Sequence, residues 1–325
     1  MNPGVEFGIS VALCTYNGAR FLSKQIDSIL GQSVPPEEIV IRDDGSADQT
    51  LRIIESYGEV LTLLPAGERL GVTRNFEQAI SACKGRYIAL SDQDDIWEPY
   101  KLERLREAFE ADSGLRLVGS NAQAIDEKDK PMGFDLFSAI ALTDAEKDTL
   151  SSGAGFDALI KRPLFTGATV MFRRELLDAA SPFPALWLHD EWLAIIAAAT
   201  GRVRLLPDQL TRYRQHDSNV AGVKENTVLR KVSKVRKLIA PRHLRHQALL
   251  ARRESLLAQL KTIDAPGNAI AKAEAALAHE EFRSGLPKSR ALRIAPILGE
   301  RRTGRYDSVD YGNREVLRDL LSSPR

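Results

Sequence analysis

Asp92-Gln93-Asp94-Asp95 places three carboxylates within four residues. Charges that close repel one another unless a cation, a proton or water relieves them. Mg²⁺ and Mn²⁺ are hard ions that take oxygen ligands, typically one or two carboxylates plus substrate phosphates. A metal role is one expectation. A local role is another, because Asp95 leads into a helix with Pro99 at its start. Both hold if one Asp caps while its neighbour binds. Asp43-Asp44-Gly45-Ser46 also reads two ways. It makes a good turn with Ser46 as a helix N-cap, or its carboxylates accept from a ribose hydroxyl or a base N–H. His189-Asp190-Glu191-Trp192-Leu193 opens a helix. Its acids suit the positive helix end and equally supply a general base. Arg212-Tyr213-Arg214-Gln215-His216 offers charge-assisted donors for phosphate. His216 is either a metal ligand or a structural imidazole.

These residues need a frame that brings them together. Ile9–Thr15, Glu38–Arg42, Val60–Leu64 and Arg86–Leu90 read as strands, with helices at Phe21–Leu30, Gln49–Tyr57 and Thr73–Cys83. Such alternation predicts an α/β fold with a mostly parallel sheet, whose site lies beyond the carboxyl ends of the strands. Thr15-Tyr16-Asn17-Gly18, Asp43-Asp44 and Asp92–Asp95 follow three of those ends, so they share one rim. Further on, Lys101–Glu110 is expected as helix, Leu115–Ser120 as strand and Lys128–Phe156 as loop. Leu164–Arg173 then reads as strand, Asp190–Thr200 as helix, and Arg202–Leu206 and Leu210–His216 as two strands. From Val223 the pattern turns helical and basic. We expect a domain of residues 1–222 and a mainly helical region of residues 223–325.

The chain has 325 residues, 43% hydrophobic and 27% charged, enough for a large core. A net charge of +1 argues against a dedicated nucleic-acid binder. Cys14 and Cys83 lie in apolar runs and read as buried thiols in a reducing compartment. Met1–Gly8 lacks the pattern of a secretion signal. The apolar run Leu193–Ala199 is far short of the roughly 20 residues that cross a bilayer. A cytoplasmic protein is expected.

Taken in order, these segments resemble family 2 of the inverting glycosyltransferases, which have the GT-A fold. The resemblance runs over about residues 8–222 and includes Gly71-Val72-Thr73-Arg74-Asn75-Phe76 and Thr166-Gly167-Ala168. The His-Asp-x-Trp-Leu and Tyr-Arg-Gln-His segments look most like the rhamnosyltransferase-like branch that builds bacterial surface polysaccharides. The resemblance implies that Thr15, Tyr16, Asn17, Asp43, Asp44, Arg74, Asn75 and Asp92 serve the nucleotide. It implies a D-x-D motif at Asp92 and Asp94 holding Mg²⁺ or Mn²⁺, with His216 nearby. Asp190 falls at the position of the catalytic base, with Glu191 beside it. Asp95, Trp97, Thr166, Gly167, Trp192 and Arg214 would line the donor and acceptor pocket.

The partners so implied are a nucleoside-diphosphate sugar and a glycan or polyprenyl-linked acceptor. A diphosphate carrying a divalent cation leaves without a general acid, so one base and one metal suffice, unlike the two carboxylates of hydrolases. A dinucleotide-binding dehydrogenase would need G-x-G-x-x-G after the first strand, and Thr-Tyr-Asn-Gly-Ala-Arg stands there. A sugar nucleotidyltransferase, or an inactive nucleotide-sugar binding module, is the competing expectation. The basic stretch Lys224–Arg253 is either a solvated helical face, a self-association surface, or a peripheral contact with an anionic membrane.

Overall fold

The computed structural model describes residues 8–65, 67–216 and 242–322. They fall into two compact units, residues 8–153 with 164–216, and residues 154–163 with 242–322. The basic stretch lies largely outside the described residues, as does the expected boundary at 222.

The first unit begins with β1 (Ile9–Thr15), α1 (Leu22–Leu30), β2 (Glu38–Asp43), α2 (Thr50–Ser56), β3 (Thr62–Leu63), α3 (Val72–Ala82) and β4 (Tyr87–Ser91). Then come β5 (Ile96–Trp97), α4 (Lys101–Ala111), β6 (Leu115–Ile125), β7 (Pro131–Asp135), α5 (Leu136–Ala139) and α6 (Asp144–Ser151). α7 (Gly155–Leu159) belongs to the second unit. The chain returns to the first through β8 (Val170–Arg173), α8 (Leu176–Ala180), α9 (His189–Thr200) and β9 (Arg202–Arg214).

The strands form one sheet in the order β3-β2-β1-β4-β8-β6-β9-β5, with β7 beside β6. The β3-β2-β1-β4 half is wholly parallel, and β6 and β9 run the same way. β5, β7 and β8 oppose them. The sheet is therefore mostly parallel. All seven residues of β1 are buried, the mark of a strand covered on both faces. Leu22, Ile26 and Ile29 of α1 pack into the same core as Val11, Leu13 and Ile41.

Three expected elements differ. Leu164–Arg173 is strand only over its last four residues, because 167–169 wind into a 3₁₀ turn. The expected loop 128–156 holds β7 and two short helices, α6 carrying a Thr143/Glu146 capping box. The two expected strands after Gly201 are one, β9, which runs through Pro207 with register shifts against β6. Such irregularity is how a sheet accommodates a proline.

The second unit contains α10 (Arg242–Thr262), α11 (Gly267–Ser284), α12 (Arg290–Arg302), α13 (Arg305–Ser308) and α14 (Asn313–Leu321). Its centre is polar. Arg283, 1% exposed, bonds Asp319 at 2.8 and 2.9 Å and Glu315 at 2.9 Å, and also pairs with Asp310. Tyr306 Oη donates to Asp319 at 2.8 Å, and His279 Nδ1 meets Glu300 at 2.7 Å. Among the described residues no helix is long and apolar enough to cross a membrane.

Candidate active site

The rim expected from the sequence forms beyond β1, β2 and β4. Thr15 Oγ1 donates to Asp43 at 2.7 Å, closing β1 against β2. Asp43 also accepts from the amides of Gly45 and Ser46 at 3.1 and 2.8 Å and from Ser46 Oγ at 2.6 Å. Its oxygens are thus engaged in holding the turn. Asp44 accepts from the amides of Leu70 and Gly71 at 2.6 and 3.0 Å. Gly71, at φ +75°, makes that approach and starts α3. Asn17, also left-handed at φ +49°, accepts from Ala47 N at 2.8 Å. Tyr16 is half exposed, with the Arg69 guanidinium 4.0 Å over its ring. Of the expected nucleotide ligands on α3, Arg74 pairs with Glu77, and buried Asn75 donates to the Arg42 carbonyl at 3.0 Å.

The acidic loop after β4 is tied to the first loop by Gln93. Its amide accepts from Tyr16 N at 2.7 Å and donates to Tyr16 O at 3.0 Å. Beside it the charges crowd. Asp92 is pushed up to about 7, first by lost hydration and then by Asp94 and Asp190, with Lys101 opposing. Burial, then Asp94 and Asp92, hold Asp95 well above the carboxylate range. One Asp95 oxygen accepts from Arg214 N at 2.8 Å and the other has no hydrogen-bond partner. His216 Nε2 lies 2.7 Å from Asp94 Oδ2.

Asp190 arrives from α9. Its Oδ2 accepts from Gly167 N at 2.8 Å, and Oδ1 from Glu191 N at 2.8 Å. A Cβ on Gly167 would lie 2.9 Å from His189 Nε2, so the turn at Thr166 fits against α9 only with glycine there. His189 is buried, stacked on Phe76 at 3.8 Å, with neither ring nitrogen hydrogen-bonded. Burial keeps its imidazole below the ordinary value. The buried Tyr213 hydroxyl is held well above its ordinary value. Burial raises it most, and then Asp95, Asp92, Asp94 and Asp190 all add to the rise.

Three expected pocket residues are packing elements. Trp192 is fully buried and donates Nε1–H to the Ala180 carbonyl at 2.7 Å. Trp97 is 3% exposed, under the Lys101 ammonium at 3.8 Å. Arg214 is buried, donating Nε–H to the Asp94 carbonyl at 2.6 Å and pairing with Asp129 at 2.5 Å. Each bulky side chain fills the space behind the rim. Lys101 went unremarked in the sequence, although it falls in phase with the buried Leu105 and Ala108 of α4. A lysine on an apolar stripe was the available signal.

The chain matches glycosyl transferase family 2 over residues 10–179. An uncharacterised glycosyltransferase of Nostoc sp. is 30% identical over 228 residues, covering 65% of this chain and 66% of that one. A Shigella flexneri protein named dTDP-rhamnosyl transferase RfbG is 27% identical, covering 65% and 73%. The chain spans two thirds or less of the first curated relatives it matches, 59% for a Mycobacterium tuberculosis protein. Among solved structures, S. aureus TarS 1–349 in complex with UDP-GlcNAc superposes with TM-score 0.57 at 16% identity, covering 97% of this chain and 89% of that one. That likeness shows the fold, which is GT-A. Sheet order, rim and family match agree: the chain belongs to the family 2 glycosyltransferases.

Proposed function

We propose that this enzyme transfers a glycosyl group from a nucleoside-diphosphate sugar to an acceptor hydroxyl with inversion at the anomeric carbon, in bacterial surface polysaccharide assembly. The observation that supports it best is the family 2 match over residues 10–179 together with Asp92 and Asp94 directly after β4, His216 beside Asp94 at 2.7 Å, and Asp190 in the first turn of α9. The acid cluster of residues 92–95 and the base candidate Asp190, with Glu191 beside it, come from segments far apart in sequence.

The donor set suits Mg²⁺ or Mn²⁺. Carboxylate oxygens crowd without enough local cation, and an imidazole stands beside Asp94. Among the described residues no group of three or more His, Cys, Asp or Glu is placed to hold a metal ion, so the ion would need diphosphate oxygens to complete its shell. Asp94 with Asp92 would hold the ion, His216 assisting, and it would neutralise the leaving diphosphate. Thr15, Tyr16, Asn17 and Asp44, on the rim beyond β1 and β2, would serve the nucleoside. Asp190 takes the proton of the acceptor hydroxyl as that oxygen attacks the sugar carbon, and the diphosphate leaves from the opposite side. Its carboxylate is held for this by two amides, leaving lone pairs for the acceptor.

The acceptor is a glycan or polyprenyl-linked hydroxyl at the cytoplasmic side. Titrating a panel of sugar nucleotides, UDP-N-acetylglucosamine and dTDP-rhamnose included, with Mn²⁺ into the parent and Asp94→Ala tests the reading by calorimetry. Metal-dependent binding of one donor, lost in the variant, is expected. Absence of binding by every nucleotide to the folded parent overturns it, and retention of anomeric configuration in the product overturns the inverting mechanism.

A further inference from the structure

Lys101 is fully buried at the start of α4. Burying an ammonium costs several kcal/mol unless partners receive it, and an apolar side chain would continue the stripe of Leu105 and Ala108 more simply. Its partners are specific. Nζ donates to the Ala168 carbonyl at 2.7 Å and stands 3.8 Å over the Trp97 ring, in the field of Asp92 and Asp95. Ala168 lies in the turn closed by Thr169 N and Oγ1, which donate to the Thr166 carbonyl at 2.9 and 2.8 Å. In that turn the Gly167 amide donates to Asp190 Oδ2 at 2.8 Å.

We propose that Lys101 is a positioning residue that ties the acidic loop to the turn carrying the base, its grip on the Ala168 carbonyl keeping the Gly167 amide aimed at Asp190. The inference rests on Asp190 being the base. One side chain, in the field of Asp92 and Asp95, thereby sets the orientation of a carboxylate that comes from the first turn of α9. The link has no slack on the Asp190 side, since even a Cβ at Gly167 meets His189 Nε2 at 2.9 Å. On the Lys101 side the Ala168 carbonyl has one further neighbour, Thr211 Oγ1, at a long 3.5 Å. Removing the ammonium therefore frees the turn while its own closing bonds persist.

The test uses Lys101→Met in the full chain, which keeps the stem and removes the charge. Amide hydrogen exchange is expected to accelerate about tenfold or more over residues 166–169 while β1 and β4 stay protected. Turnover with UDP-N-acetylglucosamine or dTDP-rhamnose, whichever the parent uses, should fall on the order of 100-fold in kcat with little change in donor KM. Adding ethylammonium to Lys101→Ala should restore part of it, and ethanol should not. Unchanged exchange in the turn, loosening spread equally over β1 and β4, or loss in KM alone overturns the proposal. Asp190→Asn separates the two readings. If it turns over normally the base assignment is wrong; if it is inert while Lys101→Met is unimpaired, only the positioning role is wrong.

Discussion

The protein buries acids in two places, burial raising Asp310 in one and Asp92 and Asp95 in the other, and compensates them differently. In the second unit Glu315, Asp310 and Asp319 surround Arg283, whose guanidinium is held above its ordinary value by Asp319 and Asp310 despite burial. In the first unit Asp92, Asp94, Asp95 and Asp190 press on one another, and two of them are driven upward. A cluster of acids is therefore not a site by virtue of being acidic. What distinguishes the two is how directly the fold compensates them: Arg283 ion-pairs with its acids, whereas Lys101 opposes Asp92 and Asp95 only through its field.

Mutations can break or sharpen that contrast. The largest effect is expected for Asp190→Asn, which should lower turnover by roughly 10²–10⁴ while calorimetry shows donor binding retained. Arg283→Met should act on stability instead. Leaving its buried carboxylates unpaired should cost about 3–5 kcal/mol in urea unfolding, a penalty that nothing comparable at Asp92 would match. Asp92→Asn relieves crowding, so in the absence of metal and nucleotide it should raise stability on the order of 1 kcal/mol; a loss of stability would erase the contrast.

The smallest effect concerns pH. His189 is held neutral, with its folded value below its unfolded one. The unfolded chain then binds more protons on acidification, and the stability present above the ordinary imidazole value of about 6.5 is lost as pH falls below it. His189→Phe preserves the stacking on Phe76 and should flatten the Tm-versus-pH curve between about pH 7 and 5.

Much of this was legible in the sequence, for physical reasons. β1, β2 and β4 are buried on both faces and read as short apolar runs; their ends lead into the acids and small polar groups of the rim. Asp94 follows β4, His216 follows β9, and Asp190 lies in the first turn of α9. Other features depend on tertiary geometry. β5 is two residues long and exists because β9 passes beside it. Trp97, Trp192 and Arg214 look like binding residues by type, yet packing absorbs them. Of the two readings of Asp43-Asp44-Gly45-Ser46, the turn is the one that takes up the Asp43 oxygens, through the amides of Gly45 and Ser46. Lys101 escaped notice because lysine is so seldom buried, though its phase on α4 marked it.

Gln93 gives the site a modular logic. Its side-chain amide mimics a strand partner for Tyr16, and a Cβ on Gly18 would come within 2.2 Å of its Oε1. The loop after β1 and the loop after β4 are thus latched as one cassette. A chimera that grafts residues 15–20 from another enzyme to change donor preference must carry residue 93 with them, or the graft will lose its latch before its new specificity can be read.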